Sequence, residues 1–459
     1  MADYDDQTIA ALATAAGGPV AVIRLSGADA LSTVQALWRP LGRRNALDAP
    51  GQERRLLLGQ LFDAPDGALI DSQCLAVYMP GPESYTGEDV VELHLHGGAA
   101  ETRLALQALA RQGVRGALHG EFTRRAFLNG KMDLTQAEAV AEMVGATSAA
   151  ALSLANRQLA GQLGGRVNGL YDQLQVFLSE MESHLDFPEE ELEWMAMPSL
   201  VAGLDGCRDA LLRLAATRME GEVLRGGVTL AIAGAPNAGK SSLLNRLLGR
   251  DRAIVSETPG TTRDTVEAEC VIRRIPFRIV DTAGVRESDD RIEKAGVERS
   301  RQAVAEADVI LWLMDATLPP AAALPFPAEW PHHGPVVTVA NKCDLPNHHV
   351  PDGAVAISAL SGENMAALEA ALEAAVFGEG GSVSGELAVS ARHAALLEQA
   401  AADLETCVNL LQATAGGEPP WETAAIPLRT ALAALGEVTG RAVSPDILDT
   451  IFHRFCIGK

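Results

Sequence analysis

Residues 234–241 read Gly234-Ala235-Pro236-Asn237-Ala238-Gly239-Lys240-Ser241, and this octet decides the fold of the segment around it. The preceding run, Val228-Thr229-Leu230-Ala231-Ile232-Ala233, is short, apolar and β-branched, as a buried parallel strand requires. Ser241-Ser242-Leu243-Leu244-Asn245-Arg246-Leu247-Leu248 then opens a helix. Gly234 and Gly239 admit backbone angles closed to other residues, so successive N–H groups can turn inward on phosphate oxygens. Asn237, Ala238, Gly239, Lys240, Ser241 and Ser242 are the expected nucleotide contacts, with Lys240 at the terminal phosphates and the Ser241 hydroxyl on Mg2+. A plain glycine turn accounts for the octet alone, but not for the octet between strand and helix.

Three later segments extend the reading. Asp281-Thr282-Ala283-Gly284 follows the apolar run Phe277-Arg278-Ile279-Val280, so Asp281 stands at a strand end beside the Mg2+ shell and Gly284 faces the third phosphate. Asn341-Lys342-Cys343-Asp344 follows another buried-strand run, Val336 to Ala340. The Asp344 carboxylate can accept two hydrogen bonds from guanine, whereas adenine offers no such pair of donors. Ser358-Ala359-Leu360, after Val355-Ala356-Ile357, completes a base pocket with backbone N–H groups. Four motifs in this order specify a guanine-nucleotide domain, and the nucleotide is GTP.

At 459 residues the chain is expected to hold about three domains, and 47% hydrophobic residues suffice for their cores. No apolar run approaches the roughly 18 residues of a membrane span. The acidic start Met1-Ala2-Asp3-Tyr4-Asp5-Asp6 lacks the basic and apolar regions of a signal peptide, so a cytoplasmic protein without membrane attachment is expected. The six cysteines, Cys74, Cys207, Cys270, Cys343, Cys407 and Cys456, form no Cys-x-x-Cys pair, which argues against zinc sites and disulfides. Cys456-Ile457-Gly458-Lys459 has the outline of a prenylation box, but Lys is a poor last residue and no polybasic stretch precedes it. A net charge of −23 argues against a protein that coats nucleic acid nonspecifically, while leaving room for a local basic site for one RNA.

In chain order, residues 1–120 read as a mixed α+β domain. Val20 to Leu25, Leu56 to Phe62 and Gln73 to Tyr78 are strand candidates, Ala28 to Leu37 is a short helix, and residues 81–89 form a dense loop. In Val90-Val91-Glu92-Leu93-His94-Leu95-His96-Gly97-Gly98, alternation puts Glu92, His94 and His96 on one strand face. That face is read as the polar side of a small-molecule pocket in preference to a metal site. From residue 121 to 225 the chain turns helical, with Asp133 and Gln136 spaced as a capping box. The nucleotide domain spans 226–378, and 379–459 resumes helices at Glu386 to Gln412 and Trp421 to Leu435. Ser444-Pro445 starts a last short helix. The expected architecture is thus multidomain α/β and all-α: an α+β N-terminal domain, a helical bundle, and a Ras-like, doubly wound P-loop domain inserted into that bundle.

Several stretches carry a family resemblance across the whole chain: residues 81–89 (Gly-Pro-x-Ser-Tyr-Thr-Gly-Glu-Asp), 120–131 (Gly-Glu-Phe-Thr-x-Arg-Ala-Phe-Leu-Asn-Gly-Lys), 186–190 (Asp-Phe-Pro-Glu-Glu), and the terminal Phe-Cys-Ile-Gly-Lys. With the inserted nucleotide motifs, they resemble the tRNA-modifying GTPase family called MnmE or TrmE. The resemblance implies a folate-binding, dimerising N-terminal domain, a discontinuous helical domain and a G domain. It implies a homodimer that works with an FAD-dependent partner, MnmG (GidA), on tRNA. The product is an aminomethyl-type (carboxymethylaminomethyl) group at C5 of the wobble uridine. Arg24, Glu92 and Lys131 resemble the contacts to 5-formyltetrahydrofolate or a related tetrahydrofolate, with Lys459 near the same pocket. Arg24 and Lys131 suit the glutamyl carboxylates and Glu92 the pterin N–H groups. Cys456 falls in the terminal motif as a candidate catalytic residue.

Many GTPases place a glutamine directly after the Asp-x-x-Gly motif to orient the attacking water; here that position is Val285. The family pattern points to Glu293 acting through a bridging water, although by sequence alone Glu287 or Asp290 would serve equally. In place of an arginine finger, Asn237 together with Ser256, Glu257, Thr258, Pro259, Gly260 and Thr261 can hold K+ against the phosphates, with Ser256, Thr258 and Thr261 among its ligands. Thr262 is the expected second Mg2+ ligand. The resemblance implies that this K+ site forms when two G domains meet face to face. Two other readings stand beside this one: a regulatory GTPase of ribosome assembly, and a folate-binding scaffold that takes no direct part in the chemistry.

Overall fold

A computed structural model describes residues 6–42, 46–146, 148–186, 195–249, 267–281, 300–319, 324–378, 387–413 and 419–458, apart from the side chains of residues 267 and 281. The chain divides into two compact units. One comprises Met1–Val144, Gln158–Glu193 and Trp421–Lys459; the other comprises Gly145–Arg157 and Trp194–Pro420.

The first unit is built on seven strands, β1 (Ile9–Leu12), β2 (Val20–Ser26), β3 (Trp38–Pro40), β4 (Leu57–Phe62), β5 (Leu69–Met79), β6 (Val90–His96) and β7 (Arg115–Gly116). They are ordered β3-β4-β5-β6-β2-β1-β7, and only the β1–β7 pair is parallel. The period-2 alternation in β2 and β6 does what the sequence requires of it. Ala21, Ile23, Leu25, Val91, Leu93 and Leu95 are buried in a core with residues of α1 (Ala30–Leu37) and α2 (Ala99–Arg111), while Arg24, Glu92 and His94 lie on the other face. Each fully buried Leu or Ile contributes about 1.5–3 kcal/mol.

The further helices of this unit are α3 (Glu121–Leu128), α4 (Leu134–Gly145, all but its last residue), α6 (Gln162–Asp186), α12 (Trp421–Thr439) and α13 (Pro445–Phe452). Asp133 and Gln136 form the reciprocal capping box at α4: Gln136 N donates to Asp133 Oδ1 and Asp133 N to Gln136 Oε1, both at 2.9 Å. Ser444 caps α13, its hydroxyl accepting from Ile447 N, and Pro445 takes the first helical position. Phe122, Glu121, Arg124 and Arg125 of α3 are all buried. Glu121 accepts from Arg115, Arg125 and Leu118 N, and Arg125 also donates to Glu88, whose carboxylate accepts a hydrogen bond from the Ser26 hydroxyl. This network fastens loop 81–89 to β2 and α3.

The second unit contains a six-stranded sheet of β8 (Val228–Gly234), β9 (Glu267–Ile272), β10 (Ile275–Asp281), β11 (Val309–Asp315), β12 (Val336–Asn341) and β13 (Val355–Ala356). Its order is β13-β12-β11-β8-β10-β9, parallel except for the β9–β10 hairpin. Parallel strands covered on both faces are apolar throughout, and Val309 to Met314 are all buried. Helices α9 (Lys240–Leu248) and α10 (Met365–Phe377) send Leu243, Leu247, Met365, Leu368 and Leu372 into the core. Helices α7 (Met197–Ala215), α8 (Arg218–Gly226) and α11 (Ala391–Gln412) complete the unit; α11 starts five residues later than the sequence pattern suggests, where Ser390 caps it through His393 N. Helix α5 (Ala149–Leu159) spans the division between the units. Among these helices, α6 packs on α12 in the first unit and α7 on α11 in the second.

Candidate functional site

The octet lies where β8 gives way to α9, at the C-terminal edge of the parallel strands, the edge at which such sheets take ligands. Gly234 has φ +145° and Gly239 φ +96°. A Cβ on Gly239 would stand 2.3 Å from Asn341 Nδ2, and one on Gly234 2.1 Å from the Leu313 carbonyl oxygen, so glycine is needed for space as well as for angle. Asn237 is left-handed at φ 61°, an angle asparagine tolerates better than most residues. Lys240 Nζ donates to the Gly234 and Ala235 carbonyls at 2.9 Å, which lays the ammonium across the loop. Ser241 and Ser242 are exposed in the first turn of α9, where helix N–H groups and the helix dipole favour an anion.

Asn341 is 3% exposed and joins three motifs. Its Nδ2 donates to the Ala238 carbonyl at 2.8 Å, and its Oδ1 accepts from Ala359 N at 2.9 Å. Lys342, at φ 70°, donates to Asp315 Oδ2 at 2.6 Å. Burial works to raise the pKa of the Asp315 carboxyl, but hydrogen bonds from Lys342 and Thr317 outweigh it and hold the group below the usual carboxylate range. The neighbouring Asp344 is exposed, and among the described residues nothing hydrogen-bonds its carboxylate.

Of the three N–H groups expected in the base pocket, Ser358 N is engaged with the Glu363 carbonyl and Ala359 N with Asn341. Leu360 N has no internal acceptor among the described residues, and Leu360 is 79% exposed. Arg246 of α9 holds this turn by donating to the carbonyls of Ala359 and Leu360. Asp315 and Arg246 were not legible as site residues; only strand register and helix packing bring them there. Asp281 closes β10 beside Ile232 of β8. Ser256, Glu257, Thr258, Pro259, Gly260, Thr261, Thr262, Thr282, Ala283, Gly284, Glu293 and Lys459 lie outside the described residues.

In the first unit, Arg24 and Glu92 are direct cross-strand neighbours, with Arg24 Nε donating to Glu92 Oε1 at 2.8 Å. His94 Nε2 lies 3.4 Å from the other oxygen. The His94 hydrogen bond, with help from Arg24, holds the Glu92 carboxyl below its usual range against the opposing effect of burial. The Arg24 guanidinium lies over the rings of Tyr85 at 5.5 Å and Phe122 at 5.8 Å. Tyr85, whose hydroxyl is 2.8 Å from that of Thr123, brings loop 81–89 to this set. Lys131 reaches the same loop, donating to the Pro82 carbonyl at 2.8 Å. Tyr85 and Phe122 are the additions to the sequence reading, and their signal was an aromatic residue inside each quoted motif.

Cys456 is the exposed member of the six cysteines; burial pushes the Cys74 and Cys407 thiols up to about 12. Its segment is fastened by the His119–Ile457 bridge, by His119 Nδ1 on the Phe455 carbonyl at 2.8 Å, and by Gly120 N on the Cys456 carbonyl.

Two protein families match the sequence: "GTP-binding protein TrmE N-terminus" over residues 8–131 and "MnmE helical domain" over residues 134–456. Among curated relatives, the "tRNA modification GTPase MnmE" of Synechococcus sp. (strain JA-2-3B'a(2-13)) is 44% identical, covering 98% of each chain. The protein of the same description from Nitratidesulfovibrio vulgaris (strain DP4) is 42% identical over 99% of each, and that of Symbiobacterium thermophilum 41% identical over 99% of this chain and 100% of the relative. Solved structures similar in part include Aquifex aeolicus Era bound to GDP and AlF4−, at 28% identity over 41% of this chain and 67% of that one. Its TM-score of 0.24 is too low to carry an argument.

Proposed function

We propose a working cycle for this chain from one premise: it belongs to the MnmE (TrmE) family of tRNA modification GTPases. It is a GTP hydrolase of tRNA modification. The finer reading is that GTP hydrolysis here serves the installation of a carboxymethylaminomethyl group at C5 of the wobble uridine, by a homodimer working with the FAD-dependent MnmG protein.

The observation that carries the nucleotide reading is Asn341, whose two hydrogen bonds make one cradle of the phosphate loop and both base-side motifs. The Asp344 carboxylate accepts from guanine N1–H and the 2-amino group, which selects GTP over ATP. Loop N–H groups from Asn237 to Ser242 take the phosphate oxygens, and Lys240 exchanges the Gly234 and Ala235 carbonyls for them. The glycine-only space at Gly239 and the exposed Ser241 hydroxyl suit a phosphate-bound cation. Ser241 and Thr262 would hold Mg2+, and Asn237, Ser256, Thr258 and Thr261 would hold K+; both ions, when bound, neutralise charge developing on the phosphates. Glu293 orients the attacking water in place of the residue at 285, and pairing of two G domains completes the K+ site.

In the first unit the donor set suits a tetrahydrofolate. Glu92, kept ionised, accepts from pterin N–H groups, while Arg24, Lys131 and Lys459 supply cations for the glutamyl tail. The folate supplies a one-carbon unit when bound. Cys456 is the exposed thiol assigned to that chemistry.

The base assignment is tested with Asp344→Asn. Its amide can donate to the C2 carbonyl of xanthine and can no longer accept two bonds from guanine. GTP turnover at subsaturating substrate should fall about 10- to 100-fold, the loss of a charged hydrogen bond at about 1.4 kcal/mol per decade, and XTP turnover should appear. Undiminished GTP turnover without XTP activity would remove Asp344 from the site.

A further inference from the structure

We propose that Asp71, His96 and Glu101 form a binding site for one divalent transition-metal ion, separate from the nucleotide site and from the Arg24–Glu92 pair. One potential ligand atom from each of the three residues lies within 4.8 Å of the other two. Asp71 projects from β5, His96 ends β6, and Glu101 stands in the first turn of α2, so three rigid elements converge on one point.

The hydrogen bonding is one cation short. The Asp71 carboxylate, 1% exposed, takes Gln73 N at 2.8 Å and His96 N at 3.0 Å, and the His96 ring Nδ1 lies 3.0 Å from Asp71 Oδ2. With His96 neutral the imidazole has a single N–H, and placed on Nδ1 that proton serves Asp71. The Glu101 carboxylate folds back over Gly98, where an added Cβ would lie 3.0 Å from Oε2, and among the described residues it makes no hydrogen bond or ion pair. Two carboxylates therefore face one imidazole with one proton between them.

A metal ion resolves this directly. It would take the place of the Nδ1 proton, which moves through solvent to the ring's Nε2, and would bind one nitrogen and two carboxylate oxygens. Ligand atoms on a tetrahedral ion at about 2.0–2.1 Å stand about 3.3 Å apart, close to the separation already set between Nδ1 and Asp71. The His96 side chain is 62% exposed, so the ion has an entry path and room for a water as fourth ligand. A mixed nitrogen and oxygen set of this kind suits Zn2+, Ni2+ or Co2+ above Mg2+.

The test uses the full-length chain, stripped with chelator and saturated with GDP and Mg2+ so that the nucleotide site is filled. Zn2+ binding is measured by equilibrium dialysis, and Co2+ binding by its visible d–d absorption. Wild type and Arg103→Ala, an exposed change on the same helix, should bind one ion more per chain than His96→Ala. Glu101→Gln should weaken that site tenfold or more. Because Glu101 makes no other bond among the described residues, its variant remains informative if His96→Ala fails to fold. Equal stoichiometry and affinity in wild type and Glu101→Gln would overturn the proposal, as would cobalt spectra unchanged by either variant or no bound ion in the wild type.

Discussion

The Asn341 side-chain amide donates to the Ala238 carbonyl at 2.8 Å, and that bond joins the base-recognition strand to the phosphate loop. With Asn341→Ala, the Ala238 carbonyl and the Ala359 N–H both lose their partner in buried surroundings. Each unpaired group costs about 1–3 kcal/mol. Fluorescent GDP titration should show affinity weakened at least tenfold, together with a lower melting temperature. Unchanged affinity would mean that the loops hold their places without the amide.

Gly239→Ala is expected to abolish tight nucleotide binding, because the new Cβ would sit 2.3 Å from Asn341 Nδ2 at a backbone angle of φ +96°. The same titration checks it, with circular dichroism confirming retained helix content. Wild-type affinity in this variant would contradict the geometry of the loop.

Glu92 links the first unit's stability to pH. Its carboxyl, lowered by His94 and Arg24 against burial, has a folded-state value below the ordinary 4.5. A lowered carboxyl contributes stability that is fully present above the ordinary value and is lost as the pH falls through the folded-state value. Glu92→Gln should therefore cost about 1.5–3 kcal/mol at neutral pH. The denaturation midpoints of variant and wild type should converge as the pH falls below 4.5. A gap that persists unchanged to about pH 3 would contradict this assignment.

The elements that local chemistry dictates were legible in the chain. The Asp133–Gln136 box, the Ser444 cap before Pro445 and the octet between strand and helix all involve residues within a few positions of each other. Contacts set by register were not legible. Arg24 and Glu92 read as two separate ligand-binding residues, and the β2–β6 pairing makes them partners. His96 read as one of three polar residues on a strand face, yet its partner is Asp71, which lies 25 residues earlier on β5. An aspartate directly after Leu69-Ile70, inside the strand Leu69–Met79, was the available signal, since strands disfavour that residue. Short strands such as Trp38–Pro40 and Arg115–Gly116 carry too few residues to show a period.

GTP turnover by the purified chain should be several-fold or more faster in K+ than in Na+ at equal ionic strength, and Asn237→Ala should lose most of that advantage. A K+ ion held by the ligand set proposed around Asn237 would supply the positive charge that an arginine finger supplies elsewhere. Equal rates in the two salts would remove the cation from the mechanism.

On the proposed function, GTP hydrolysis by this chain serves modification of the wobble uridine. The most direct measurement is mass spectrometry of nucleosides from total tRNA of three strains: wild type, a deletion, and a strain whose only copy carries Asp344→Asn. C5-carboxymethylaminomethyl uridine species should be present in the first and absent or strongly depleted in the other two. Wild-type levels of those nucleosides in the deletion strain would contradict it.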